Sequence, residues 1–171
     1  GWGGFGGRMD SSWRRSALKS GLKLEGTANI YGHNVMIYLA GGKLDFGGDD
    51  HKVHLTPLNP AWDPTGIYKD IVLYQAPGNS QQGEYGDKTR AGTKTSSGGT
   101  IGCDVSQSDG GFDGGIYFPD ATIKFRGTVT MCATGPVVVD KLNQEGSSLL
   151  HVDSSAYAGN VAGTPEITLL D

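Results

Sequence analysis

A stretch that occurs twice decides the fold. Residues 37–48 read Ile-Tyr-Leu-Ala-Gly-Gly-Lys-Leu-Asp-Phe-Gly-Gly, and residues 116–127 read Ile-Tyr-Phe-Pro-Asp-Ala-Thr-Ile-Lys-Phe-Arg-Gly, 79 residues further on. A shorter echo matches residues 22–26 to residues 44–48 at an offset of 22 residues. About 22 residues form one turn of a β-solenoid, and the longer offset would hold about three turns plus an insertion. The alternative for the short echo is coincidence.

Alternating apolar residues predict short strands over most of the chain. Residues 35–39, 44–46, 53–55, 116–118, 123–125 and 137–139 show the period of two that is typical of strands with one buried face. The short connections between them leave too little chain for the crossover helices of an α/β fold. We therefore predict an all-β fold, a single-stranded right-handed parallel β-helix (β-solenoid), as one domain over residues 1–171. Its predicted interior is Ile37, Leu39, Leu44, Phe46, Ile116, Phe118, Ile123 and Phe125.

Composition excludes several classes of protein. Glycine makes up 29 of 171 residues without a strict period of three, which excludes collagen. A net charge of -4 and a charged fraction of 19% argue against a nucleic-acid partner, although residues 2–15 hold a small basic and aromatic patch. The longest apolar stretches are far shorter than the ~20 residues that a membrane span requires, so we expect no membrane span.

Three segments interrupt the strand pattern. Residues 1–20 are predicted to be an N-terminal arm or cap, and Ser11–Gly21 has the end signals of a short capping helix. Residues 76–100 are predicted to form a long projecting loop, because glycine and polar residues dominate there. Pro57–Pro64 is a proline-rich excursion that carries Trp62. The two later segments are the predicted recognition surfaces.

Several motifs follow one another in an order found in a known family. They are Gly32–Leu39, Leu55–Pro57, Gly66–Gln75, Gly114–Ala121 and Val137–Leu142. In this order they resemble the C-terminal β-solenoid region of bacterial TadE/TadG-like proteins of the Tad (Flp) pilus-assembly system, over roughly residues 18–150.

The resemblance implies a location outside the cell or in the cell envelope, and a structural or adhesion role without catalysis. The expected partner is a protein or a glycan at the cell surface, bound by loops. The chain departs from the family because it contains neither an N-terminal anchor helix nor a von Willebrand-type domain, which suggests an excised domain or a secreted relative.

The extracellular location that the family implies also favours a disulfide between Cys103 and Cys132. The bond would close a loop of about 30 residues and stabilise the fold by about 3–4 kcal/mol. Two buried free thiols are the alternative.

No cofactor is expected, although one stretch is rich in oxygen ligands. Asp104, Asp109 and Asp113 could contribute to a calcium site. The EF-hand glutamate is absent, and such residues are more often simply turn residues. We therefore predict no metal site.

A carbohydrate-binding or polysaccharide-degrading β-helix is the second functional hypothesis, acting as a lyase or a hydrolase. The predicted binding surface is then Trp62, Tyr68, Tyr74 and Tyr85, whose rings would stack on sugars. Asp49 and Asp50 would be the acids, since glycoside hydrolysis needs two carboxyl groups about 5–10 Å apart. The sequence has no Gly-x-Ser-x-Gly, His-Glu-x-x-His or P-loop motif. We therefore predict no catalytic residue.

Overall fold

The computed structural model describes residues 17–47, 51–59, 61, 66–86, 90–97, 100–106 and 110–153. These residues contain no α-helix and form sixteen mostly short strands. The strands are β1 (Ala17–Leu18), β2 (Leu22–Lys23), β3 (Ile30–Gly32), β4 (Ile37–Leu39), β5 (Leu44–Phe46), β6 (Val53–Leu55), β7 (Ile71–Gln75), β8 (Gly83–Tyr85), β9 (Arg90–Ala91), β10 (Thr93–Ser97), β11 (Thr100–Asp104), β12 (Gly111–Phe112), β13 (Gly115–Phe125), β14 (Thr130–Ala133), β15 (Val137–Gln144) and β16 (Leu149–Val152).

The strands pair in parallel with strands one coil further along the chain. A first face contains β1, β4, β7, the start of β13 and the start of β15, and a second face contains β2, β5, β8 and the ends of β13 and β15. A third face contains β3, β6, β12, β14 and β16, with β9 beside β14. Of the described pairs, the hairpin β10–β11 and one isolated bridge are antiparallel. This arrangement is compatible with a β-solenoid of five coils.

The register confirms the repeats in the sequence and corrects their number. Leu22 pairs with Leu44, so the 22-residue echo is one coil. Ile37 pairs with Leu73 and Leu73 with Ile116, so the longer offset spans two coils and not three. The two coils are long because each contains an insertion, whereas Ile116 pairs with Val137 only 21 residues later.

The predicted interior is buried. Seven of its eight residues are at most 1% exposed, and Ile37 is partly buried against the same core. Because the coils stack in register, the side chains form columns that run from coil to coil, such as Phe46, Tyr85 and Phe125. We call the columns that point into the core interior columns.

The coils approach each other so closely at one corner that only glycine fits. Gly42 has a φ of 71°, and a Cβ atom there would lie 2.3 Å from the backbone nitrogen of Gly21 in the preceding coil. Side chains rarely adopt this backbone conformation, and the backbone of the neighbouring coil cannot move aside. The glycine-rich corners of the sequence are therefore places where coils stack.

The structure shows no helix at residues 17–21, the described part of the predicted capping helix, so the prediction is wrong there. Ala17 and Leu18 form a strand that pairs with Tyr38 and Leu39, and Leu18 packs against the core. The strand pairing with β4 provides hydrogen-bond partners for the backbone N–H and C=O groups of these residues, which a helix would otherwise have to provide. Residues 1–16, with Trp13, lie outside the described residues.

The range 76–100 is not one projecting loop. β8 lies within it and pairs with β5 and β13, because Tyr85 belongs to an interior column. The inserted element is the hairpin β10–β11, which follows β9 and precedes β12. In the proline-rich excursion, residues 60 and 62–64 lie outside the described part of the chain.

Candidate functional site

Three tyrosines form a stack on the outer side of the first face. Tyr38 pairs in register with Tyr74, and Tyr74 with Tyr117. The ring centroids of Tyr38 and Tyr74 lie 5.4 Å apart with planes at 10°, and those of Tyr74 and Tyr117 lie 4.9 Å apart at 16°. Tyr68 meets Tyr74 edge-on at 5.3 Å and 90°. We call Tyr38, Tyr74 and Tyr117 the tyrosine stack.

The stack follows directly from the sequence pattern. In each of the three strands the tyrosine lies between two residues that face the core, so it points outward. Neighbouring parallel strands lie about 4.8 Å apart, which is close to the distance between stacked rings. Identical residues in register therefore stack without any adjustment of the backbone.

The stack leaves ring edges, not ring faces, for a ligand at Tyr74. Both faces of this ring are covered, one by Tyr38 and the other by Tyr117. A sugar therefore cannot stack on Tyr74 as the second hypothesis requires. Burial raises the pKa of the Tyr74 phenol, and the neighbouring tyrosines raise it further.

Tyr85 is a core residue, which corrects its place in the predicted binding surface. It is fully buried, and its ring contacts Phe46 edge-on at 5.3 Å and stacks on Phe125 at 5.2 Å. The reason is its position in β8, where Glu84 points outward and Tyr85 inward. Burial raises the pKa of Tyr85, and its hydroxyl is buried without a hydrogen-bond partner among the described residues. Trp62 lies outside the described residues.

Exposed apolar residues extend the tyrosine stack into a strip. Ile67, beside Tyr68, is 67% exposed, and Val138, which pairs with Tyr117, is 42% exposed. We call the tyrosine stack together with Ile67, Tyr68 and Val138 the outer strip. Apolar side chains that lie together on a surface are typical of interaction sites.

The sequence reasoning identified Tyr68 and Tyr74 but missed Tyr38 and Tyr117. The signal for both was present in the repeat, where each tyrosine occupies the same position between two apolar residues. Residues at matching positions of the repeat lie side by side in the stacked coils, and this contact was not inferred from the sequence.

Charged residues on the outer side of the second face form ion pairs between and within coils. Arg126 contacts Glu84 at 3.2 Å and Glu145 at 3.7 Å, and Lys124 contacts Glu145 at 2.6 Å. The Lys124 ammonium group lowers the pKa of the Glu145 carboxyl, first by its hydrogen bond and also by its charge. These groups neutralise one another along the coil axis.

Asp45 is also held in its ionised form. Burial raises the pKa of this carboxyl, but the Lys43 ammonium group at 2.7 Å, the Gly47 N–H at 3.1 Å and the charge of Lys23 together hold it below its usual range. A general acid requires the opposite shift. Asp49 and Asp50, the acids of the second hypothesis, lie outside the described residues.

Histidines meet near the third face. The rings of His33 and His54 lie 5.8 Å apart at 82°, and in the described part of the chain the buried His54 Nδ1 has no hydrogen-bond partner. Burial lowers the pKa of His54, the charge of His33 lowers it further, and Asp113 acts in the opposite direction. His51 is fully buried, with Nδ1 3.0 Å from the carbonyl oxygen of Ala28.

The described residues contain no group of three or more histidine, cysteine, aspartate or glutamate side chains that could hold a metal ion. Of the calcium candidates, Asp104 is exposed, and Asp113 accepts a hydrogen bond from Thr134 Oγ1 at 3.0 Å. Asp109 lies outside the described part of the chain.

Cys132 is disulfide-bonded and 1% exposed. It alternates with the inward-facing Met131 and Ala133, so its side chain leaves β14 on the outer side. The insertion covers it there, since a Cβ atom at Gly92 would lie 2.3 Å from Cys132 Sγ. The side chain of Cys103 lies outside the described side chains, so its pairing with Cys132 stays a prediction.

Comparison with protein-family models, curated proteins and solved structures finds no match. Among the residues that the structure describes, no helix has the length and apolar character needed to cross a membrane.

Proposed function

We propose that the chain is a right-handed, single-stranded parallel β-helix that acts as a non-enzymatic structural or adhesion domain. Its setting would be a bacterial cell-envelope or pilus-associated protein, outside the cytoplasm. The observation that supports the proposal is the in-register stack of Tyr38, Tyr74 and Tyr117 along the coil axis. Outward side chains that stack from coil to coil stiffen a rod, whereas a hydrolase needs its carboxyl groups to converge on one substrate.

The ion pairs of the second face support a role without catalysis. Glu84 and Glu145 share Arg126, and Asp45 is paired with Lys43. These carboxylates are spread over successive coils, and the cations beside Asp45 and Glu145 lower the pKa of those two groups. Their arrangement suits the alignment of coils better than proton transfer.

The outer strip is the surface that we assign to a partner. It begins with Ile67 and Tyr68, directly after the proline-rich excursion that the sequence singled out, and it continues along the tyrosine stack to Val138. Tyrosine supplies both an apolar ring and a hydroxyl group, so the edges can contact a protein or a glycan. The disulfide at Cys132 supports a location in an oxidising compartment.

Binding of the purified, fluorescently labelled chain to intact bacterial cells tests the role of the strip. We expect the double variant Ile67→Ser, Tyr68→Ser to bind at least about tenfold more weakly. Tyr31→Ser is the matched control, because Tyr31 is 45% exposed on the third face. Equal binding by wild type and the double variant would exclude the strip as the partner surface.

A screen of polysaccharides tests the absence of catalysis. The chain is incubated with uronate-containing and neutral polysaccharides, and reducing ends and unsaturated sugars are measured. We expect neither product. Sugar release by the wild type that Asp49→Asn or Asp50→Asn abolishes would overturn the non-enzymatic proposal in favour of a lyase or hydrolase.

A further inference from the structure

The fifth coil leaves interior columns uncovered. Leu142 pairs with Ile123, and Val152 pairs with Ala133, so both occupy columns that are buried in the coil before. Yet Leu142 is 41% exposed and Val152 is 40% exposed. Among the described strands, β15 pairs with β13 alone and β16 with β14 alone. Within the part of the chain that the structure describes, the core therefore has an open end, with exposed apolar side chains and strand edges that no described strand pairs.

The described chain reaches this end still in register. The Asp153 N–H donates to the Ala133 carbonyl oxygen at 2.9 Å, so parallel pairing with the fourth coil continues to the last described residue. Eighteen residues, 154–171, follow in the sequence. Ile123 pairs with Leu142 and Thr130 with Leu149, which is 19 residues per coil on the second and third faces.

The sequence beyond Asp153 repeats the interior pattern at the same offset of 19 residues. Six residues of the fifth coil occupy interior columns, and four of them have apolar counterparts, whereas Gln144 and Val152 have Gly163 and Asp171. The counterparts of Val137, Val139, Leu142 and Leu150 are Ala156, Ala158, Val161 and Leu169.

On the first face, an outward-facing position of residues 154–171 also matches its column. Tyr157 is the counterpart of Val138 and so falls in the column of the tyrosine stack. Pro165 is a departure, because it replaces Gly146, whose φ of 78° proline cannot adopt. The corner at that position must therefore differ from the one in the fifth coil.

We propose that the open end of the fifth coil is the docking surface for residues 154–171 of the same chain, which add to it as a sixth coil. Leu169 then covers Leu150, and Val161 covers Leu142. The occupant is this segment because it leaves β16 in register and carries apolar residues at four of the six interior positions. The proposal is independent of adhesion, since a chain without any partner would still cover its core.

Hydrogen exchange followed by mass spectrometry tests the proposal at low protein concentration. In Leu169→Asp we expect amides of β15 and β16 to exchange about tenfold faster or more, with β4 and β7 unchanged. Leu170→Asp is the matched control, because Leu170 is the counterpart of the outward residue His151 and should leave exchange within about twofold of the wild type. Equal effects of the two variants would overturn the proposal.

Two further measurements guard against a variant that simply unfolds and against a different occupant. A chain that ends at residue 153 should also expose β15 and β16 while β4 and β7 stay protected, and unchanged protection of β15 in this chain would overturn the proposal. Light scattering gives the oligomeric state of the full chain. Protection of β15 that appears only as dimers form would assign the open end to a second copy and overturn docking of residues 154–171.

Discussion

Replacing Tyr74 by alanine removes the centre of the tyrosine stack and measures its contribution to stability. Three ring contacts are lost, two stacked ones with Tyr38 and Tyr117 and one edge contact with Tyr68. Each aromatic pair contributes about 0.5–1.5 kcal/mol beyond its buried area, so the three contribute about 1.5–4.5 kcal/mol together. We expect Tyr74→Ala to lower the free energy of unfolding by about 2–5 kcal/mol once the lost apolar contact is included.

The assay is equilibrium unfolding in urea, followed by circular dichroism. Tyr31→Ala is the control, because Tyr31 is equally aromatic but 45% exposed, and it should cost less than about 1 kcal/mol. A double-mutant cycle between Tyr74→Leu and Tyr117→Leu isolates one stacked pair, whose coupling should be about 0.5–1.5 kcal/mol. A coupling near zero, or a cost at Tyr74 no larger than that at Tyr31, would refute the stack as a stabilising element.

Three further predictions concern buried groups. Tyr85→Phe should raise the free energy of unfolding by about 1 kcal/mol, because it removes a buried hydroxyl that no described residue hydrogen-bonds; a loss of stability in urea would contradict this. Burial lowers the pKa of His54 in the folded chain. The stability that His54 contributes should therefore be complete above the unfolded pKa of about 6.5 and decline as pH falls through the lower folded pKa. In thermal melts from pH 8 to 5, the melting temperature should fall less steeply in His54→Phe than in the wild type. Cys132→Ser should lower the free energy of unfolding by about 3–4 kcal/mol if Cys103 is the partner, and a reductant should then destabilise the wild type but not this variant.

The register of the coils could be predicted from sequence because stacking in parallel places like residues upon like. Residues 22–26 and 44–48 match in sequence, and their strands pair at the same offset. The number of coils between Ile37 and Ile116 could not be predicted in the same way. Insertions project from the corners between strands, so they lengthen a coil in sequence without altering how its strands stack. The sequence offset between two repeats therefore cannot distinguish one long coil from two short ones.

The burial of polar or aromatic residues in the core was the other feature that could not be predicted from the sequence. Tyr85 follows Gly83 and Glu84 in a polar stretch, so local pattern indicated a loop, and only its register with Phe46 and Phe125 identifies an interior column. Gln75 occupies the interior column of Leu39 and is fully buried. Its Nε2 donates to the carbonyl oxygens of Asn79 at 2.5 Å and Gln81 at 3.0 Å. Such tertiary hydrogen bonds are not encoded in local alternation.

The outer sides of the described faces differ in their charged and apolar residues, and this difference underlies our choice of the outer strip as the proposed partner surface. On the second face the described carboxylates of Glu84 and Glu145 already meet a cation at Arg126. On the third face the insertion covers Cys132, and the side chain of Val105 lies where a Cβ atom of Gly111 would be. The outer strip retains Ile67, in the turn before β7, at 67% exposure and Val138, on the first face, at 42% exposure. Because burying apolar surface yields about 25 cal/mol per Å², a partner that covers Ile67 and Val138 would gain free energy from both.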